Sequence, residues 1–374
     1  MIQATMVSFD GVKEPGTGSA AYSGQLTGAL TACPGVTLTQ DIVLSSQTAS
    51  VVKKAEAFLR AACRGLPYEW SMMIGAANEA RLAPVAWASL LVVNGFNTSY
   101  FLDYPGTWPP YIYIMHDRHE LQIRAVIKGH AWPQRFLLNA IGEHRRCRTR
   151  EAALLQKAAA VITVSYSDYA YALRAGVRHA VWIPPSFDPT LITPRENSSH
   201  TSPEINIGML GNTSFFPNLE GMRAVIADAW PHQVDKRLNL VLAGKGTDIF
   251  SDASRNIRGL GYLPELSSFW DSIDILLVPN LNASGIGVKL CEAVARNVPV
   301  LTTRQGARGL PDDILRTLDC VDDITSMGKL LSWDWLSSAR HRNYVESTRA
   351  PFLLPYMQQQ LCAMLTRALG CVPA

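Results

Sequence analysis

Two charged residues three apart, Lys289 and Glu292, carry the chemistry most readily read from this 374-residue sequence. They follow Gly285 and Gly287 and a strand-like apolar run over 273–279, so the pattern predicts a strand, a Gly-punctuated turn and a helix with Lys289 one turn inside it. Glycines let the backbone approach a ligand closely, and a new helix offers unpaired N–H groups and the positive end of its dipole. At i, i+3 the two side chains share one helix face, setting a cation suited to phosphate beside a carboxylate suited to sugar hydroxyls. A solvated helical pair would show the same spacing. What favours a site is the flank: a second buried strand over 297–303, then a loop over 304–310 carrying Arg304, Gly306, Arg308 and Gly309.

A second cluster lies at the end of the strand-like run 110–115, which delivers His116, Asp117, Arg118, His119 and Glu120 at its carboxyl end. Ligands of open α/β sheets collect at such ends. His116 is a candidate at that strand end, and Asp117 is the nearest carboxylate, which a displacement with inversion would want as general base and one with retention would not. A third candidate is the first strand-to-helix turn, with Gly16, Thr17 and Gly18, which could admit a phosphate or sugar or be a plain tight turn. No metal is expected: the chain has no Asp-x-Asp and no Cys-x-x-Cys, and His116 and His119 have no further ligand cluster.

The elements that must position these residues alternate strand and helix. Strands are read near 5–9, 70–74, 90–93, 110–115, 161–165 and 205–211, with one helix carrying Tyr22, Leu26 and Leu30 and ending near Pro34, and another over 51–62. This predicts an α/β build with parallel sheets. At 374 residues, 48% of them hydrophobic, two domains are expected. Residues 182–189 read as the crossover, and the Pro-rich, polar stretch 184–203 as the linker. Domains are therefore set at 1–184, 185–348 and a terminal helical segment 349–374.

The segment 204–311 resembles the nucleotide-binding half of GT-B glycosyltransferases, specifically glycosyltransferase family 4. Pro279, Gly285, Lys289, Glu292-Ala293, Pro299-Val300 and Gly306-Ala-Arg-Gly-Leu310 follow that family's order, as do Gly211, Phe216-Pro-Asn218, Gly244 and the Gly-Tyr262 turn upstream. The resemblance implies two Rossmann-like domains facing a cleft, with a C-terminal helix packing back on the N-domain. It implies transfer of a sugar from a nucleotide-diphosphate donor, UDP- or GDP-linked, to a glycan or glycolipid, retaining and metal-independent, with no cofactor. On that reading Lys289 stabilises the departing diphosphate, Glu292 accepts from the ribose, and His116 stands beside the donor sugar. Gly211, Asn212, Gly244, Ser284, Gly285, Ile286, Gly287 and Val288 complete the donor site. The chain departs from the family pattern at Ser284, where many members carry Glu, and after Gly211, where Asn-Thr-Ser-Phe replaces the usual Arg and Lys. Arg304 or Arg308 would then substitute on the diphosphate. The rival readings are a non-catalytic GT-B subunit that binds or scaffolds a partner, and a GT-B nucleotide-sugar epimerase.

A net charge of +3 is too small to imply nucleic acid. Its distribution is uneven: residues 118–157 carry nine basic and three acidic side chains, around Arg145, Arg146, Arg148 and Arg150. The interleaved Trp132, Phe136, Leu137, Leu138 and Ile141 fit either a lipid interface or a core, and a solvated, core-packed helix is the preferred reading. If the acceptor is lipid-linked, the four arginines would favour an anionic membrane. Seven cysteines without Cys-x-x-Cys disfavour a disulfide framework, and the N-terminus lacks a secretory pattern. The expected location is the cytoplasm, peripheral to the inner face of the membrane if the acceptor is lipid-linked.

Overall fold

The computed structural model describes residues 2–9, 18–46, 50–104, 107–129, 132–192, 202–230, 235–281 and 285–370. The chain forms two compact units, one of residues 1–184 and 357–374, the other of residues 185–356.

The first unit is built on β1 (Ile2–Phe9), β2 (Val36–Leu44), β3 (Leu90–Asn94), β4 (Tyr111–Met115), β5 (Ala160–Thr163) and β6 (Ala180–Trp182). They pair in the order β2-β1-β3-β4-β5-β6, every pair parallel. Strands β3, β4 and β5 are buried at every residue, as continuous apolar runs in a parallel sheet covered on both faces must be. The edge strand β2, Val-Thr-Leu-Thr-Gln-Asp-Ile-Val-Leu, has no such run and is buried only at its two ends, so its pattern does not announce a strand.

Residues 70–74 are not a strand. They lie in and just after the helix Tyr68–Met73, whose first N–H, that of Tyr68, is accepted by Glu143 Oε1 at 2.7 Å. Trp70 is buried there, stacked on Phe96 and donating to the Phe96 carbonyl. Six residues give no helical period to read, and tertiary contacts decide the conformation. The terminal helix Leu354–Leu369 contributes Met357, Leu361, Met364 and Leu365 as buried side chains. Its Cys362 lies beside Cys33, whose thiol is pushed up to about 12 by burial and by that neighbour.

The second unit holds β7 (Ile205–Leu210), β8 (Leu238–Ala243), β9 (Ile257–Gly259), β10 (Ile275–Val278), β11 (Val300–Thr303) and β12 (Asp319–Val321). Their order is β12-β11-β10-β7-β8-β9, again all parallel. The boundary near the C-terminus falls at residue 357 rather than 349, because 349–356 are tied into this unit. Arg349 donates twice to the Ala295 carbonyl, Phe352 is buried, and Phe187 exchanges backbone hydrogen bonds with Phe352 and Leu354. The same contacts fix the start of the expected linker, where Ser186 and Ile192 are buried; residues 193–201 of that stretch lie outside the described residues.

Candidate active site

In each sheet the chain leaves its first strand to one side and later returns on the other, which opens a crevice at the carboxyl ends of two neighbouring strands. In the second unit that switch point lies between β7 and β10. The helix after β10 runs Val288–Ala295, and its N-cap, Gly287, supplies no side chain to its free N–H groups. Lys289, half-buried in its first turn, reaches the end of β7: Nζ donates to the Leu210 carbonyl at 2.7 Å and to Asn218 Oδ1 at 2.7 Å. Two of the three ammonium donors are thereby engaged and one remains. Burial lowers the Lys289 pKa to about 8, so the group is a cation at neutral pH but only by about one unit.

The backbone around this cation is close-fitting. A Cβ on Gly211 would lie 2.6 Å from the Asn218 side chain, and one on Gly244, at φ +121°, would lie 2.3 Å from the Gly211 carbonyl. Asn218 Nδ2 in turn donates to the Asn212 carbonyl at 3.1 Å. Gly211, Asn212, Gly244 and Lys289 therefore belong to one cluster, and Asn218 joins them. Asn218 stands in the first turn of the helix Phe216–Ala224, with Pro217 at its start. That Pro-Asn helix start is visible in the sequence, but its bond to a lysine 71 residues away is not.

Gly285, Ile286, Gly287 and Val288 are half-buried, and Ser284 lies outside the described residues. Glu292 is held by its own helix, its Oε1 accepting from Arg296 Nε at 2.9 Å. Burial raises its pKa against the pull of Arg296 and of the Trp270 indole. Trp270 Nε1 is buried without an aligned hydrogen-bond partner among the described residues. The loop after β11 packs beside Gly287, whose Cβ would stand 3.7 Å from the Gly306 carbonyl. Arg304 in that loop is exposed and paired with Asp322; with Asp312, Leu315, Arg316 and Cys320 it lines a shallow surface cavity that does not include Lys289. Arg308 is half-buried and makes no ion pair among the described residues.

The first unit repeats the arrangement, its switch point lying between β1 and β3. There His116, just past β4, places Nε2 2.6 Å from Asn94 Oδ1. Asn94 Nδ2 donates to Ser8 and Ser23, so its Oδ1 is the acceptor and His116 carries its proton on Nε2. Burial lowers the His116 pKa to about 4, and the imidazole is neutral at physiological pH. Tyr22 meets it edge-on at 5.7 Å. Asp117, half-buried, occupies the adjoining bend.

The five-residue cluster 116–120 is divided by the fold. His119 is buried against Phe96, with ring centroids 4.2 Å apart, and its Nε2 stands 2.8 Å from Glu69 without hydrogen-bond alignment. Burial opposes charging of His119, but Glu69, with Glu151 and Glu143 behind it, outweighs this and raises its pKa. Glu120 is taken by Arg118 and Arg124. Gly16 and Thr17 lie outside the described residues, and Gly18 is the exposed first residue of the helix Gly18–Thr31. Among the described residues no three His, Cys, Asp or Glu side chains converge as a metal site would require.

Residues 204–321, which carry Lys289 and all its partners, match the family described as glycosyl transferases group 1. The likeness of this segment is thus to the donor-binding half of a glycosyltransferase. The fold of the whole chain is GT-B. It is similar to sucrose-phosphate synthase from Thermosynechococcus elongatus, with a TM-score of 0.66 at 16% identity over 99% of both chains. It is also similar to Anabaena HepE in complex with UDP-glucose, at 0.57 and 12% identity over 98% of this chain and 100% of that one. A third likeness is to the lipopolysaccharide outer core galactosyltransferase WaaB, at 0.57 and 8% identity with the same coverage. No curated protein matches the chain by sequence. Within the matched segment, Gly211 and Gly244 are glycines on which the Asn218 side chain and another backbone close.

Proposed function

We propose that the protein transfers a hexose from a UDP- or GDP-linked donor to a glycan or lipid-linked glycan, with retention of configuration and without a metal ion. The observation that carries this reading is Lys289, a half-buried cation beside an uncapped helix N-terminus at the switch point of the segment that matches the group 1 glycosyl transferases. Breaking the glycosidic bond to a nucleotide leaves extra negative charge on the diphosphate. A fixed ammonium with one donor to spare, next to oriented backbone N–H groups, stabilises that charge as it develops. Glu292, oriented by Arg296, would accept from ribose hydroxyls, and Arg308 would offer a second cation.

His116, kept neutral with its proton directed at Asn94, would leave Nδ1 to meet the donor sugar or acceptor without adding charge. The UDP-glucose bound by HepE and the galactosyltransferase activity in the name of WaaB support the donor class, and WaaB alone speaks for a lipopolysaccharide setting. A lipid-linked acceptor would place the enzyme at the cytoplasmic face of a membrane. The test is turnover of a panel of UDP- and GDP-sugars by the parent and by Lys289→Ala. Loss of one such electrostatic contact costs roughly 100- to 1,000-fold in rate. Unchanged turnover would remove Lys289 from the mechanism, and sugar-nucleotide binding with no turnover at all would leave a binding subunit.

A further inference from the structure

The helix Trp132–Ala140 buries none of its residues. Trp132 is 76% exposed, Phe136 60% and Leu137 44%, so the core-packed reading fails for these three, while Leu138 packs partly against the core and Ile141 is half-buried. Trp132 and Phe136, one turn apart, stack on each other at 5.9 Å while both remain largely exposed. Two large aromatic rings held in water are costly unless something covers them.

The charges around them are sorted by sign. Helices Trp132–Ala140 and Glu143–Lys157 pack together, and their only two acids, Glu143 and Glu151, are 0% and 1% exposed. Each acid is spent on a backbone: Glu143 accepts from the Tyr68 N–H and Glu151 from the His119 N–H. The arginines also divide. Arg146 donates to the Ala61 and Leu66 carbonyls and Arg150 pairs with Asp103 at 2.6 Å, so these two are structural, contrary to the expectation from sequence. Arg135, Arg145 and Arg148 remain exposed, the last two at i, i+3 on one helix face. The outer surface of the helix pair thus shows cations and stacked aromatics, and no carboxylate.

We infer that this surface docks on an anionic lipid bilayer. Trp132, Phe136 and Leu137 enter the boundary between headgroups and acyl chains, and Arg135, Arg145 and Arg148 meet the lipid phosphates. An amphipathic helix lying in the interface is the geometry that combines an apolar face with flanking arginines. Among the described residues no helix is long and apolar enough to cross a membrane, so the contact would be peripheral.

The experiment is co-sedimentation of the full chain with vesicles of phosphatidylcholine alone and with 30% phosphatidylglycerol, at low and high salt, beside sedimentation velocity without lipid. The parent should bind the anionic vesicles at least tenfold more tightly than the neutral ones and lose that preference at high salt. Both Trp132→Ala/Phe136→Ala and Arg135→Gln/Arg145→Gln/Arg148→Gln should lose at least tenfold while melting at the parent's temperature, since all five side chains are exposed. The inference falls if either variant binds as the parent does, or if the parent binds both vesicle types alike or neither. It falls equally if the parent self-associates through this face and the aromatic variant is monomeric, for the occupant would then be a second copy.

Discussion

Lys289 and Asn218 hold each other across the head of the second sheet, with Nζ and Oδ1 2.7 Å apart and Gly211 directly beneath the amide. The amide orients the cation without neutralising it. A carboxylate at that position would do the opposite.

Binding of UDP should therefore report the charge on Lys289. With its pKa lowered to about 8, affinity should fall roughly tenfold between pH 7 and pH 9 as the ammonium deprotonates. Asn218→Asp should move the midpoint of that fall to higher pH while weakening binding at pH 7, because the new acid competes with the ligand for the cation. Calorimetric titration of UDP across this range checks both, and a pH-independent affinity would exclude Lys289 as the phosphate partner.

His116 should stay neutral far into acid. Its folded pKa of about 4 lies below the ordinary histidine value of 6.5, so the unfolded chain takes up the proton first and the contribution of this group to stability is lost as pH falls from 6.5 toward 4. In a histidine-resolved NMR titration its resonances should not shift above pH 5. Asn94→Asp should bring the titration back toward neutrality by placing an acid 2.6 Å from Nε2.

Glu143 works in the other direction. Burial raises its pKa to about 7 from 4.5, so the folded state binds more protons between those values and stability is lost as pH rises through them. Glu143→Gln keeps an acceptor for the Tyr68 N–H and removes the charge. Its melting temperature should match the parent at pH 4 and exceed it above pH 7, with a free-energy gain of up to roughly 3 kcal/mol. A difference independent of pH would show that the carboxylate is not buried as charged.

Gly244→Ala should be among the most damaging single substitutions in the second unit. The position combines φ +121° with a Cβ site 2.3 Å from the Gly211 carbonyl, so the loop bearing Asn212 must shift. A loss of roughly 2 kcal/mol or more and of measurable UDP binding is expected. Denaturant unfolding and UDP titration measure the two separately.

Much of this architecture was legible in the sequence because buried parallel strands are written as apolar runs, unbroken in β4 and β10 and nearly so in β5 and β8. Lys289 was legible for a local reason, its place one turn after a glycine pair. Partners that arrive from elsewhere were not. Asn218 meets Lys289 across two strands, Asn94 meets His116 from the neighbouring strand, and Arg296 takes Glu292 only in the folded helix. The charge sorting on residues 132–157 also escaped, since a sequence counts Glu143 and Glu151 as surface acids until burial removes them.

The two units differ in how the ribosome delivers them. Residues 185–356 form one continuous length, whereas the other unit needs Met357, Leu361, Met364 and Leu365 after that whole length has emerged. During vectorial synthesis the unit that begins first is thus completed last, and its partly built core must wait with the seat of the final helix unfilled. An interruption after residue 356 would leave the second unit whole and the first with bare apolar surface, the kind that recruits chaperones and proteases.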